Sequence, residues 1–468
     1  MRAVSSFARA RVFTCTLALV TISACLPVVA VRPTHAQQLA QNAQPQQRKL
    51  SGVDRDRGLE MLEKIEEDLS DNYYDPKFHG MDVDARFKIA KERIKNAVSN
   101  GEIFSVIAQV LVELDDSHTY FLPPNRVLRV DYGWRMQVIG DKCYVTAVKP
   151  GSDAQSKGLK VGDEIYSIDG YEPSRSNLWK MEYSYYLLKP RPGMRVVVQD
   201  PDGQQRELIL AAKVLANRDI PFLPKRDPTH EPRYYEMGDD LIICKLPTFE
   251  IGEKDVDEMM THIGQHKALV LDLRGNGGGS EAALLRLLGY FFDHDIKIGE
   301  LQQRKKTRSL NAKTRGDKVF KGRLVVLVDS KSGSASELFT RVIQLEQRGP
   351  VLGDRTAGAV MRGRFFSHAF EHGPDEWISF SLYGAVITVA NLVMTDGKSL
   401  EKVGIVPDEL LLPTRADLFA QRDPVLARAA ALVGVQLDAK KAGTLFPPDQ
   451  ETEVNTDTEQ GDGGKDKN

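Results

Sequence analysis

Two patterns of apolar and polar positions divide this chain. Over residues 54–128 the apolar positions recur at helical spacing, with Leu59, Leu62, Ile65 and Leu69 on one face, a second helix over 85–98 and a third over 103–114. From residue 241 onward the pattern changes to short continuous apolar runs at 241–245, 268–273 and 324–328. These are too short for helices and rich in branched side chains, which predicts strands buried on both faces. Helical stretches at 253–264 and 281–292 separate them, and that alternation predicts parallel βαβ crossings. Further strands are expected over 351–354, 365–370 and 377–393. A terminal helix is expected over 423–433, with Asp423 as its cap and Pro424 in its first turn. The basic run Arg304, Lys305, Lys306 and Arg308 predicts an exposed ribbon or loop.

Two of the strand-like runs end in turns with chemical potential. Residues 324–328 lead through Ser330 and Gly333 into Ser334, Ala335, Ser336 and Glu337, where a helical pattern begins. A strand that turns abruptly into a helix leaves backbone N–H groups free at the helix start. Such a turn suits a nucleophilic serine and equally suits an ordinary serine-rich cap. Residues 268–273 lead into Arg274, Gly275, Asn276, Gly277, Gly278 and Gly279, where glycine permits positive φ and close approach of a ligand. A phosphate-binding loop would need Lys-Ser/Thr after the glycines or the G-x-G-x-x-G spacing, and neither is present.

Together the D-L-R-G-N-G-G-G stretch at 272–279 and the S-A-S-E turn at 334–337 resemble the S41 peptidases, the C-terminal processing and tail-specific protease family. The resemblance implies Ser334 as nucleophile, with the N–H groups of Gly278 and Ala335 as oxyanion hole. It also implies a multidomain α/β protein: a helical cap at 54–130, a PDZ domain (β-sandwich-like with helices) at 131–215, and a peptidase core of ClpP/crotonase-like type at 216–412. Residues 145–154 and 158–170 resemble a PDZ domain closely. Gly133, Trp134, Arg135 and Met136 then stand where such a domain holds an extended peptide by strand addition and captures its carboxylate. One glycine there replaces the usual two. The partners implied are polypeptides with unstructured C-terminal tails, and no cofactor or metal is implied.

The family's commoner branch deprotonates its serine with a lysine in G-E-x-T-x-G-K-G. Here residues 353–360 read G-D-R-T-A-G-A-V, with Ala359 at the lysine position and Gly363 where the orienting glutamine belongs. Three arrangements fit the sequence. In the first, the D-S-H-T stretch at 116–119 resembles the tricorn-like branch, making His118 the base and Glu401 its orienting carboxylate, although Lys402 replaces the glycine that usually follows. In the second, His368 or His372 is the base. In the third, the site is inactive and the protein is a PDZ-bearing scaffold.

Composition narrows the remaining classes. The chain has 468 residues, 41% hydrophobic and 27% charged, with a formal net charge of −2. No basic cluster interleaved with aromatics is present, so nucleic acid is not expected as a partner. His262 and His266 lack the glutamate of a His-Glu-x-x-His metallohydrolase and are expected on a solvated helix end. Of four cysteines, Cys15 and Cys25 lie in the leader, while Cys143 and Cys244 are expected as buried free thiols. Residues 1–36 combine Arg2, Arg9 and Arg11 with an apolar stretch and read as an export leader, ending at Ala36, at a lipobox before Cys25, or uncleaved as an anchor. All three predict a periplasmic or envelope location, with the membrane touched only through that anchor. Residues 37–53 read as a flexible linker, 413–435 as a C-terminal helical segment and 436–468 as a disordered acidic tail.

Overall fold

The computed structural model describes residues 50–124, 128–216, 230–370 and 381–446. The leader, most of the linker, His372 and the chain beyond residue 446 lie outside the described residues.

Three helices open the fold: α1 (Gly52–Asn72), α2 (Val83–Lys95) and α3 (Asn100–Val112). Each starts on a side-chain cap, from Ser51, Asp82 and Ser99 respectively, which satisfies N–H groups that have no partner inside the helix. The face carrying Leu62, Ile65 and Leu69 is buried, but it does not close on the helices alone. It packs on Phe121, Phe370, Tyr383, Ala385 and Ile387 of a sheet assembled from distant segments. Strand β1 (Tyr120–Leu122), just after the helices, pairs antiparallel with a strand more than 260 residues later, Tyr120 opposite Val386.

Residues 128–216 form a separate antiparallel unit. Its strands are β2 (Leu128–Asp131), β3 (Trp134–Ile139), β4 (Lys142–Val148), β5 (Glu164–Ile168), β6 (Gly193–Gln199), β7 (Gln205–Ala211) and β8 (Lys213–Ala216). A short helix α4 (Asp153–Ser156) precedes β5, and α5 (Leu178–Glu182) runs on into a π turn over Tyr183–Leu188 before β6. Strands β3 to β7 lie in sequence order, which leaves β3 at an edge, while β2 pairs with β8. Trp134, Met136 and Val138 point into the core of this unit and Arg135 is exposed, the alternation of a half-buried strand.

The remaining chain builds a sheet in the order β18-β15-β14-β11-β10-β9. Its members are β9 (Arg233–Met237), β10 (Leu241–Lys245), β11 (Ala268–Asp272), β14 (Arg323–Val328), β15 (Val351–Gly353) and β18 (Glu409–Leu410). All its pairings are parallel except β9 with β10. Helices α6 (Glu253–Ile263), α7 (Glu281–Leu288) and α8 (Ala335–Leu345) cover one face. After α9 (Arg415–Phe419), α10 (Pro424–Leu432) and α11 (Ala439–Ala442) cover the other. Burial on both faces explains why β10, β11 and β14 read as continuous apolar runs.

Strands β12 (Ile296–Gln303), β13 (Thr307–Ala312), β16 (Arg362–Phe370) and β17 (Ser381–Met394) complete the second sheet, with β17 at its centre between β1, β12 and β16. The basic run at 304–308 is the tip and first residues of the β12–β13 hairpin, Gln302 opposite Thr307. The acidic tail expected from residue 436 does not hold for its first residues, because Leu437 and Ala442 are buried against the parallel sheet. Cys143 and Cys244 are buried free thiols.

The junction between the helices and the second sheet is fixed by one buried carboxylate. Asp116 Oδ2 accepts from Tyr73 Oη at 2.7 Å and Thr119 Oγ1 at 3.0 Å. Its Oδ1 accepts from Thr388 Oγ1 at 2.7 Å and His118 N–H at 2.9 Å. Asp116→Ala strands these donors in the interior, and the expected loss is about 2–4 kcal/mol of unfolding free energy in urea titration. A loss below about 0.5 kcal/mol contradicts this role for the carboxylate.

Candidate active site

The site lies where the parallel sheet's carboxyl ends meet the second sheet. Strand β14 ends at Val328, the chain turns through residues 329–333, and Ser334 stands at the head of α8 with φ 51° and ψ −118°. This is a sterically costly conformation for a residue with a side chain, about 1–3 kcal/mol, and it persists only where the surroundings hold it. Two contacts hold it here. Ser334 N–H donates to Ala359 O at 2.7 Å and to Glu337 Oε2 at 3.1 Å.

Glu337, one turn into α8, is fully buried. Its Oε1 accepts from Thr356 Oγ1 at 2.5 Å and Gly358 N–H at 2.8 Å, and its Oε2 accepts from Ala359 N–H at 2.8 Å besides Ser334. Burial pushes this carboxyl up to about 7 against the pull of its four donors, so the fully accepting form predominates above neutral pH.

The glycine loop approaches from β11. Gly278 has φ 105°, and a Cβ there would lie 2.5 Å from Ser334 Cβ, so only glycine fits against the serine. Asn276, buried at the centre of the loop, ties it to the serine turn. Its carbonyl accepts from Gly333 N–H at 3.0 Å and from Ser336 Oγ at 2.9 Å, and its Nδ2 donates to Leu246 O at 2.9 Å. Its Oδ1 accepts from Gly278 N–H at 2.9 Å. The expected pair of oxyanion donors is therefore only half available. Ala335 N–H, first in its helix, has no acceptor among the described residues, whereas the Gly278 amide is taken by Asn276 because a buried amide oxygen needs a donor.

Below the loop, Arg274 is clamped between two carboxylates. It donates to Asp272 through Nε at 2.9 Å and Nη2 at 2.8 Å, and to Asp423, the cap of α10, at 3.0 and 2.7 Å. Burial disfavours the Asp272 anion, but Arg274 and Lys245 outweigh it and hold the carboxyl far below its usual range. The C-terminal helix thus anchors the arginine of the glycine loop.

His118 and Glu401 come together, with a residue between them that the sequence did not single out. Ser117 Oγ donates to Glu401 Oε2 at 2.8 Å and lies 2.7 Å from His118 Nδ1. Ser117 N–H donates to Glu401 Oε1 at 2.9 Å, and Val360 N–H to Oε2 at 3.0 Å. With the hydroxyl proton on Glu401, the Ser117 oxygen accepts Nδ1–H, which leaves Nε2 as the unprotonated nitrogen. Burial lowers the His118 pKa, opposed by Asp116, and burial raises that of Glu401. One peptide group joins this series to the serine: the Ala359 carbonyl accepts from Ser334 N–H while the Val360 N–H donates to Glu401. Among the described residues no hydrogen bond links Ser334 Oγ with His118.

His368 Nε2 is 2.6 Å from Asp68 Oδ2 on α1, in the junction with the helices. His262 and His266 both face Glu236, at 2.8 and 3.4 Å, and His266 is buried and not solvated. Among the described residues no group of three or more His, Cys, Asp or Glu is placed to hold a metal ion. Lys402 has φ 62°, in the left-handed region, which gives a physical reason for the glycine usual at that position, and its ammonium pairs with Asp115. In the antiparallel unit Gly133, Trp134 and Met136 are buried and Arg135 is exposed. Gly133 N–H donates to Asp131 Oδ1 at 2.8 Å and so is not offered to a ligand.

Glu337→Gln tests the carboxylate that holds the serine turn. Either orientation of the amide points its NH2 at a backbone N–H, so the variant should lose about 2–4 kcal/mol at pH 8 in chemical denaturation. Wild-type stability in Glu337→Gln contradicts the four-donor geometry.

Residues 240–411 match the model of peptidase family S41. The chain is 23% identical over 346 residues to a tail-specific protease of Haemophilus influenzae, covering 69% of this chain and 47% of that protein. It is 25% identical over 342 residues to a carboxyl-terminal-processing protease of Picosynechococcus, covering 70% of this chain and 76% of that one. The chain thus spans about half the length of the Haemophilus relative. Among solved structures, mature CPAF complexed with lactacystin superposes with a TM-score of 0.56 at 14% identity, over 78% of this chain and 96% of that one, a likeness of fold alone. Residues 240–411, which carry the serine turn and the glycine loop, thus form a domain of peptidase family S41, a family of serine-type hydrolases.

Proposed function

We propose that this protein is an exported serine endopeptidase, periplasmic or envelope-associated, acting on unstructured polypeptide segments, with Ser334 as nucleophile and His118 as base. The unit at 128–216, read as a PDZ domain, recruits the substrate. Export rests on the leader pattern of residues 1–36. The observation that carries the catalytic reading is the series Glu401–Ser117–His118, which presents a neutral imidazole where Ala359 leaves the serine no lysine.

In the proposed reaction, His118 Nε2 takes the Ser334 Oγ proton as the oxygen attacks the scissile carbonyl carbon. Ala335 N–H donates to the developing oxyanion. His118 then returns the proton to the leaving amine as the C–N bond breaks. Water, deprotonated by the same nitrogen, hydrolyses the ester and restores Ser334. Ser117 and Glu401 are positioning residues: they fix the tautomer and stabilise the imidazolium. Productive attack requires Nε2 within about 3 Å of Oγ, a contact that hydrolases without substrate often lack. That missing contact and the engaged Gly278 amide favour the alternative, an inactive S41-like PDZ scaffold. Labelling by a serine-directed fluorophosphonate decides between the two.

Labelling is expected on Ser334 and abolished in Ser334→Ala, with Ser332→Ala and Ser336→Ala still labelled; absence of any labelled serine selects the scaffold. His118→Ala should reduce kcat/KM for an unfolded substrate by about 10³-fold or more, and Ser117→Ala by about 10–100-fold.

The acid limb of kcat/KM provides a second test. A base lowered by burial keeps its lone pair to lower pH, so the His118 step of the limb should lie below the ordinary imidazole value of about 6.5, apart from the step at about 7 at which Glu337 takes up its proton. Since Glu401 is raised, it takes up its proton nearer that same limb. Ser117→Ala, which cuts the two apart, should alter the shape of the limb. A limb with no step below about pH 6.5 contradicts His118 as base.

A further inference from the structure

We infer that Asp131 fills the carboxylate slot of the 128–216 unit, so that this unit binds the interior of an extended polypeptide and not a free C-terminus. The inference rests on the proposed reading of that unit as a substrate-recruiting domain, and changes the class of peptide it takes.

Strand β3 is the open edge of its sheet, and strand addition there needs only backbone hydrogen bonds. A peptide added antiparallel to β3 ends beside Gly133, where a terminal carboxylate would need free N–H donors or a cation. The Gly133 N–H and the Lys149 ammonium are already committed. Asp131 Oδ1 accepts from Gly133 N–H at 2.8 Å, and Lys149 Nζ pairs with Asp131 Oδ2 at 3.1 Å. The loop cannot open by a small adjustment. Gly133 is buried with φ 72°, and a Cβ there would lie 2.4 Å from Ser152 Cβ, so the backbone sits directly on the start of α4.

Arg129, on the same strand, adds positive charge near the carboxylate. Burial works against the Asp131 anion, but the Gly133 N–H and Lys149 outweigh it and hold the carboxyl below its usual range. Asp131 is therefore an internal anion in the place of a ligand's. A second carboxylate from substrate would find the Gly133 N–H and the Lys149 ammonium already engaged by Asp131. An internal segment carries no such charge and can run past Gly133 in either direction.

The other end of β3 faces the catalytic machinery. Gln137 Nε2 donates to Asp329 Oδ2 at 2.7 Å, and Ser330 Oγ donates to the Val138 carbonyl. Asp329 Oδ1 also accepts from Gly275 N–H at 2.9 Å in the glycine loop. An extended segment on β3 is therefore led toward the turn that carries Ser334.

The test is binding of fluorescein-labelled unstructured peptides, identical except for a free-acid or amidated C-terminus, to full-length Ser334→Ala protein by anisotropy. Binding does not depend on catalysis, so failure here is distinct from failure of the enzymatic reading, which fluorophosphonate labelling of the parent reports. The Kd values for acid and amide should agree within about twofold, and a peptide extended by ten residues past the same segment should bind as well. Asp131→Asn, which releases Lys149, should acquire a preference for the free acid of about fivefold or more, a charge-assisted contact's worth. A fivefold preference for the acid in the Asp131 protein overturns the inference, as does absence of binding by every peptide. The acid-to-amide ratio of the Asp131 protein decides even if Asp131→Asn does not fold.

Discussion

One buried carboxylate, Glu337, holds the reactive part of this protein in shape. It takes hydrogen bonds from Ser334, which lies in a costly left-handed conformation, and from Thr356, Gly358 and Ala359 on the turn opposite. Thr356 in turn pairs with Ile405 through both its hydroxyl and its backbone, and Gly358 O accepts from Lys402 N–H, so the segment carrying Glu401 hangs from the same group. A single buried acceptor thereby sets the serine, the turn that lacks the lysine, and the carboxylate proposed to orient the base. Without it, neither the backbone strain at Ser334 nor the register of Glu401 has a support.

Much of the architecture was legible because burial leaves a plain mark on sequence. Strands covered on both faces need continuous apolar runs, and β10, β11 and β14 show them. The serine turn and glycine loop were legible because a sharp turn and a close backbone approach restrict residue choice, as the Cβ clash at Gly278 illustrates. What was not legible depends on distant pairing. Nothing near Tyr120 announces that its strand adds to one beginning at Ser381, so the helices looked like a free-standing cap. Leu437 and Ala442 sit in a largely polar stretch whose apolar positions, with Ala439, Leu445 and Phe446, follow no clear period.

The site shows the same division. His118 and Glu401 were identifiable as residue types, but Ser117 between them carried no signal beyond its place next to the histidine. Gly278 was identifiable as a glycine that must be one, yet the direction of its N–H depends on Asn276, which is invisible to pattern reading. Asp131 carries no signal of its own, because residue pattern does not show that a neighbouring carboxylate takes the Gly133 amide.

The account makes the imidazole of His118 the base for Ser334 although the two are not hydrogen-bonded without substrate. A crystal structure of the protein with a peptide boronate, a mimic of the tetrahedral intermediate, tests that claim most directly. The account predicts boron bonded to Ser334 Oγ, one boronate oxygen on Ala335 N–H, and His118 Nε2 within about 3 Å of the serine or boronate oxygen, with Ser117 still between Nδ1 and Glu401. A boronate on Ser334 with His118 out of reach and a different side chain in that position would contradict it.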